Sequence, residues 1–571
     1  MTFLQEINSS KIYFLTFFCL IHPTYLIYQF VFTIQQNAFP CGRYNHLTYH
    51  LASMSAVFSL SLEWEGFERD KYVHTVLEDN LLPNFIQKCR WFAGKARTLE
   101  GLRIKDAVRM EHKEKTFFFL IFEAKYQEGE PENYLLPISF MAATEEISEN
   151  AKISVANLDD HDGFLVDATF DPAFREGLLA LVGQEHKKNQ KNGYSLDFTK
   201  GKAYQDISEV TSYLPEIDSS NTAFIFNDTY FFKLYRKLFS EINPEVEMVQ
   251  YITQNSDFAN IPRFAGSVTW SRTDKPNVTF GMMVEVIQNE KDDWSKTGDY
   301  LNEFLYAFVD GNFQIKESVF DKVTLLATRT AQMHEALFTV RGEEDFRADI
   351  FDRTYRRYIH QKMEDLIDNR YNLLTDNYLI LDEQAKKLAW TFMESKDIII
   401  DFVDQILTRP IESYRTRIHG DFHLGQVLVC QDDLTIIDFE GEPESSIKQR
   451  KIKHSPLKDV AGMIRSYHYA VSAKLFNAEE TAGLDEKVLE RAAERWYRLI
   501  RETYLEEYLN YFGPGHSLFR NNNEINYLLQ FHLLEKSIYE LGYEINYRPT
   551  WVKIPLKGIA DVIKEVEKLK R

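Results

Sequence analysis

Two stretches carry side chains whose types and spacing suit one reaction. The first is Arg417-Ile418-His419-Gly420-Asp421-Phe422-His423-Leu424-Gly425-Gln426, and the second is Ile436-Ile437-Asp438-Phe439-Glu440-Gly441. Between and into them run two short apolar segments, residues 427–429 and 434–437, joined by the polar turn Gln431-Asp432-Asp433. A hairpin brings the end of its second strand back beside the start of its first, so Asp421, Gln426 and Asp438 are expected at one edge. Phosphoryl transfer asks for such a set: a carboxylate to accept the proton of an alcohol, and oxygen ligands to hold Mg²⁺ against phosphates. On this reading Asp421 is the base. The Gln426 amide oxygen and the Asp438 carboxylate are metal ligands, and His419 orients the loop by hydrogen bonding. Each residue alone has a plainer reading, such as a histidine in a glycine turn or an aspartate ending a strand. The joint spacing carries the chemical one.

Such a reaction also needs a cation for the triphosphate. Lys233 lies in Phe231-Phe232-Lys233-Leu234-Tyr235, the second strand of a predicted hairpin turning at Asn227-Asp228-Thr229. Alternation puts it on the face opposite Phe232 and Leu234. Ser220-Asn221-Thr222 stands at the hairpin's entry, where a phosphate-covering loop belongs, although it has no glycine. No Walker A pattern is present, which excludes a P-loop ATPase. Asn243-Pro244-Glu245-Val246-Glu247 opens a helix, with Pro244 suited to its first turn. Glu247 is read as the partner of Lys233; Glu245 competes for that role, and a surface position is open to either. Near the C-terminus Glu540 and Glu544 are four apart and share a helix face, beside the stripe Tyr539, Tyr543 and Tyr547 and followed by Arg548 and Trp551. Carboxylates and arginine suit sugar hydroxyls, and aromatic rings suit the apolar faces of sugars. Glu540, Tyr543, Glu544, Arg548 and Trp551 are therefore candidate substrate residues, the alternative being a buried tyrosine stripe with surface ion pairs.

These residues must be positioned by a chain of 571 residues with 44% hydrophobic and 27% charged content, ordinary for a globular protein of several subdomains. The formal charge of −20 makes nucleic acid a poor partner. Four scattered cysteines, Cys19, Cys41, Cys89 and Cys430, offer neither a disulfide framework nor a thiolate zinc site, and point to a reducing, cytoplasmic setting. Residues 1–62 differ, with only Glu6, Lys11 and Arg43 charged. Residues 12–34 are uncharged and long enough to span a bilayer, but His22-Pro23 breaks them. A dispensable extension is the leading expectation, with a membrane anchor and ordinary packed structure as the alternatives. Beyond it, residues 70–89 have helical spacing, and residues 115–122, 134–140 and 280–286 read as strands. Residues 186–192 form a polar basic loop, and residues 323–337 and 384–407 are helical. Strands first and helices afterwards is the order of an α+β fold.

Taken together these motifs resemble the maltokinase family, within the aminoglycoside-phosphotransferase-like and protein-kinase-like superfamily, over residues 90–559. The resemblance rests on Arg90-Trp91-Phe92-Ala93-Gly94, on Ser220-Asn221-Thr222 with Phe232-Lys233-Leu234, on the two catalytic stretches, on residues 455–466 and on Arg548-Pro549-Thr550-Trp551. It implies a bilobal protein-kinase-like fold: a cap over residues 62–155, a nucleotide lobe over 156–290 and a helical lobe over 291–571, with residues 1–61 outside it. It further implies ATP- and Mg²⁺-dependent phosphorylation of maltose to maltose 1-phosphate for α-glucan assembly. Lys233 would contact ATP phosphates, the Glu285-Val286 stretch would be the hinge that reads adenine, and Asp459 would anchor the catalytic loop. A trehalose synthase is an implied partner for the cap. A glucosamine kinase, or another small-molecule kinase of the aminoglycoside type, is the nearest rival.

Overall fold

The computed structural model describes residues 59–189, 194–216, 220–309, 311–477, 481 and 483–569. The apolar run at residues 12–34 lies outside them. Among the described residues, no helix is long and apolar enough to cross a membrane.

The order of elements is that of an α+β fold with two lobes and a cap. The first sheet has the strand order Ser59–Leu62, Lys152–Leu158, His161–Asp167, Glu132–Ala142, Lys115–Tyr126, Leu99–His112. It continues to Asp167, beyond the boundary at 155 expected from sequence. The strand Lys115–Tyr126 reads as an unbroken apolar run because both of its faces are covered. Phe118, Leu120 and Phe122 enter a core with Phe67 and Trp91, while Phe117, Phe119 and Ile121 enter a second core shared with the nucleotide sheet. Phe119 meets Phe280 there, with ring centroids 5.3 Å apart.

The nucleotide sheet is antiparallel, in the order Lys187–Asn189, Tyr194–Lys200, Phe264–Arg272, Lys275–Glu285, Tyr230–Leu234, Thr222–Phe226, Ser212–Tyr213. Lys187–Asn189 was expected in a loop. It is an edge strand, paired on one side with Tyr194–Lys200. The hairpin at residues 222–234 forms as the sequence predicts. Asn227 and Asp228 take the left-handed conformation, φ 50° and 48°, in the three-residue turn Asn227-Asp228-Thr229 between Phe226 and Tyr230. Its register sets Ala223 opposite Lys233 and Phe224 opposite Phe232. Phe232 and Leu234 are buried beneath the cap, and alternation turns Lys233 to the other face. The chain then adds Lys237–Leu238 as a further strand to the cap sheet, against Asn133 and Tyr134.

The helical lobe begins at Asp293. The helix Leu457–Asn477 is its axis, packed by Glu486–Phe512 and Asn522–Tyr547. Residues 384–407 divide into Glu383–Glu394 and Lys396–Thr408, because Ser395 leaves helical geometry. The catalytic stretches flank a small sheet of Lys291–Asp292, Val427–Cys430 and Asp433–Ile436.

Candidate active site

Asp459 builds the catalytic loop from below. Its buried carboxylate accepts the backbone N–H groups of His419 at 2.7 Å and Gly420 at 2.9 Å, and contacts His334 Nε2 at 3.1 Å. Burial would raise the Asp459 pKa, but His334 and these donors hold it below the usual range. His419 joins the two catalytic stretches. Its Nε2 lies 2.8 Å from the Ile437 carbonyl, and its Nδ1 accepts the Asp421 N–H at 3.4 Å. Facing a carbonyl, Nε2 carries the proton in this arrangement. Gly420 takes φ 88°, and a Cβ there would stand 3.1 Å from Gly441 Cα, so the two stretches touch where only glycine fits. Gly462 lets the axial helix approach to the Phe422 carbonyl in the same way.

Asp421 meets Lys536 at 3.3 Å, from the helix Asn522–Tyr547, and His423 at 3.9 Å. Lys536 also lies 3.7 Å from Glu442, whose carboxylate accepts the Tyr539 hydroxyl at 3.0 Å. Burial raises the Glu442 pKa; Lys536 opposes the rise and Asp421 adds to it. Burial disfavours the Lys536 ammonium, yet Asp421 and Glu442 outweigh it and keep the group charged.

At the phosphate end Lys233 lies 2.9 Å from Glu245 and 3.1 Å from Asp438. Glu245, not Glu247, is thus the partner of Lys233. Asn243 caps the helix Pro244–Asn255 by accepting the Glu245 N–H, which fixes Glu245 against the hairpin. Glu247 points instead to Arg417 at 3.4 Å and Lys451 at 2.6 Å in the other lobe. Gln426 donates its amide to Asp438 at 3.2 Å, which leaves its oxygen free to face a cation. Asp438 takes a left-handed φ of 66°. Burial would raise its pKa, and Lys233 brings it below the usual range. Glu440 behaves oppositely: burial, together with Asp438 and Glu245, lifts it to about 7 against the pull of Lys233. Glu245, Asp438 and Glu440 therefore exceed the charge of one lysine, and with the Gln426 oxygen they make a donor set of the kind Mg²⁺ takes. The residues present fit that ion.

Above this end opens a cleft of about 420 Å³ with apolar walls, including Ile225, Phe231, Met282 and Phe439. Asn221, Thr222, Lys233, Glu285, Val286 and Asp438 line it too. Ser220 is exposed at its entrance and is not among the lining residues. Glu285 and Val286, the stretch expected to be the hinge, line the cleft, and their own N–H groups are taken within the sheet. Glu285 N–H donates to the Arg263 carbonyl at 3.0 Å and Val286 N–H to the Thr229 carbonyl at 2.8 Å. The Glu285 carboxylate is held by Arg263.

The C-terminal segment departs further from expectation. Glu540 accepts both Nε and a terminal nitrogen of Arg465, at 2.9 and 2.6 Å, and Arg465 is fully buried. Glu544 is 1% exposed and takes Arg548 at 2.7 Å. Both carboxylates are already committed to arginines, Glu540 to the buried Arg465 and Glu544, itself buried, to the exposed Arg548. A buried arginine must find such a partner. The face of this helix that reaches Asp421 carries Lys536 and Tyr539. Tyr543 and Tyr547 continue it outward, with Arg548 stacked over Tyr543 and Trp551. Arg370 lies across Gly542, where a Cβ would strike its guanidinium, and its buried Nε has no hydrogen-bond partner. Lys536, Glu440, Glu442 and Arg370 escaped the sequence reading. For Lys536 the signal was the three-residue step to Tyr539.

Residues 85–171 match the maltokinase N-terminal cap domain. A glucosamine kinase of Streptacidiphilus jiangxiensis is 21% identical over 353 residues, 61% of this chain and 73% of the relative. One of Mycolicibacterium smegmatis is 20% identical over 424 residues, 73% of this chain and 95% of the relative. Among solved structures, a glucosamine kinase in complex with glucosamine, ADP and inorganic phosphate superposes with a TM-score of 0.59 at 15% identity, covering 84% of this chain and 98% of that one. A second crystal form of glucosamine kinase gives 0.59 at 16% identity, covering 83% and 96%. Fold and site together define a bilobal phosphotransferase of the protein-kinase-like class. The chain carries a match to the maltokinase N-terminal cap and shares its fold with the glucosamine kinases.

Proposed function

We propose that the protein is an ATP-dependent sugar kinase whose acceptor is maltose, phosphorylated at its anomeric hydroxyl to maltose 1-phosphate. The observation that carries the kinase reading is the junction at Asp438, where Lys233 from the nucleotide lobe and Gln426 from the catalytic loop meet. Asp421 accepts the proton of the sugar hydroxyl as that oxygen forms its bond to the γ-phosphorus and the bond from phosphorus to the β,γ-bridging oxygen breaks, releasing ADP. Lys536 holds the Asp421 carboxylate in place. Lys233, positioned by Glu245, binds the phosphates. Gln426 and Asp438, with Glu440 beside them, would hold Mg²⁺, which supplies charge neutralisation for the transferring group.

The maltose assignment is supported by the match of residues 85–171 to the maltokinase cap and by the aromatic platform of Tyr543, Trp551 and the stacked Arg548 beyond the reacting end. Tyr543 stands about two helical turns beyond Lys536, which meets Asp421, a spacing that suits a second sugar ring. Glucosamine is the second reading. It is favoured by the names of the relatives and by Glu442, a carboxylate near Asp421 that suits an amino group.

A coupled ATP assay across maltose, glucose, glucosamine and kanamycin decides among acceptors, with the phosphorylated position read by NMR. Maltose is expected to lead, with phosphate on the C1 oxygen; faster turnover of glucosamine overturns the maltose assignment. In the same assay Asp421→Asn is expected to lower kcat by about 10²–10⁴-fold, the span of general base catalysis. Retention of more than about a tenth of the activity removes Asp421 from the mechanism.

A further inference from the structure

Arg236 joins the cap to the nucleotide cleft. It is 1% exposed and three residues beyond Lys233. Its terminal nitrogen donates to Asp167 at 2.6 Å and to the Thr169 hydroxyl at 3.1 Å, and its guanidinium lies 4.7 Å from the centroid of the Trp91 ring. Trp91, Asp167 and Thr169 all belong to the matched cap residues 85–171. On its other side Arg236 Nε donates to the Thr222 hydroxyl at 2.7 Å, and its backbone N–H donates to the Asn221 side chain at 3.2 Å. Asn221 and Thr222 line the nucleotide cleft. The backbone is tied as well: the Arg236 carbonyl accepts the Leu135 N–H at 2.7 Å, and Lys237–Leu238 joins the cap sheet.

We infer that the cap acts on nucleotide binding through Arg236, the Asp167–Arg236–Thr222 chain fixing residues 221–222 in the conformation that covers the nucleotide. The inference rests on the kinase reading above. Its physical basis is preorganisation: a loop already held in its bound conformation loses less entropy when ligand arrives. The fork geometry of arginine matters, because one planar group spans Asp167, Thr169 and Thr222 at once. Lysine, a point charge, cannot reach all three. Arg236 is a positioning residue and need not touch the nucleotide.

The test is direct titration of ADP with Mg²⁺ by calorimetry, which needs no sugar, using Asp167→Asn in the full chain. This substitution keeps the shape of the side chain, can still accept the Thr169 N–H and lies in the cap. The ADP Kd is expected to rise at least fivefold, with faster hydrogen exchange at the amides of residues 220–222. An unchanged Kd with a lowered Tm would mean that Arg236 only glues the cap down, and would overturn the inference while leaving the kinase reading intact. If Asp167→Asn fails to fold, Thr169→Val removes one hydroxyl and leaves the carboxylate. A Kd raised about twofold or more then supports the inference, and an unchanged one overturns it. If the wild-type protein does not bind ADP, the kinase reading itself fails and this inference falls with it.

Discussion

Replacing Glu540 by glutamine separates two roles that one carboxylate cannot fill together. In the structure Glu540 takes two nitrogens of Arg465, at 2.9 and 2.6 Å, with 12% of its side chain exposed and 2% of that of Arg465. The third arm of Arg465 is turned to His468 Nδ1. Glutamine keeps the length but not the charge, so the arginine is left buried without compensation. Breaking a buried pair from one side costs about 3–5 kcal/mol. The lower end applies here because glutamine still offers an acceptor, so about 3 kcal/mol is expected. The helical lobe, residues 291–571, has an unfolding entropy of about 0.6 kcal/mol/K at typical per-residue values, and the loss becomes a fall in Tm of about 5 °C. If the lobes unfold together the fall is nearer 3 °C. The assay is a thermal melt of the wild type, Glu540→Gln and the double variant Arg465→Met with Glu540→Leu. The double variant is expected to recover most of the loss, since replacing both charges with apolar groups of similar size is often neutral. Sugar KM should change less than threefold in Glu540→Gln. A Tm within 1 °C of wild type together with a tenfold rise in sugar KM refutes this reasoning and returns Glu540 to the sugar site.

Two further substitutions test the assignments around the cleft. Glu247→Gln removes the carboxylate shared by Arg417 and Lys451. It is expected to lower kcat about tenfold with the KM for ATP unchanged, because Arg417 stands two residues before His419; a raised KM for ATP with kcat intact would make Glu247 a nucleotide residue after all. Arg370→Ala is expected to raise sugar KM about tenfold, the loss of one charged hydrogen bond of roughly 1.5 kcal/mol, and to leave the KM for ATP unmoved. Unchanged sugar KM would confine Arg370 to packing between its helix and Gly542.

The parts of the site legible in the sequence are those whose geometry is local. His419, Gly420, Asp421, Gln426 and Asp438 lie within twenty residues, and a glycine-bearing loop followed by a short hairpin leaves few ways to arrange them. Lys233 was legible for the same reason: a short turn at Asn227-Asp228-Thr229 fixes the register, and period-two alternation then fixes the face. The apolar strand at residues 115–126 was legible as a strand. Its lack of alternation also held the information that two layers cover it, since a strand with one wet face would show polar residues at every second position.

What escaped depends on partners distant in the chain. Glu245 and Glu247 are equally good carboxylates at a helix start. The choice between them is made by how that helix crosses the hairpin and by Arg417, 170 residues further on, which claims Glu247. Glu540 has the spacing of a sugar ligand, and only the buried Arg465, 75 residues earlier, shows that it is already committed. Arg236 follows a strand and precedes Lys237, as an ordinary basic surface pair would. Its burial follows from the chain joining the cap sheet at Lys237–Leu238, a pairing across about a hundred residues. Helix and strand periodicity assigns a face. It does not say which oppositely charged group waits there, and in a cleft between two lobes that pairing decides which carboxylates remain to meet a substrate.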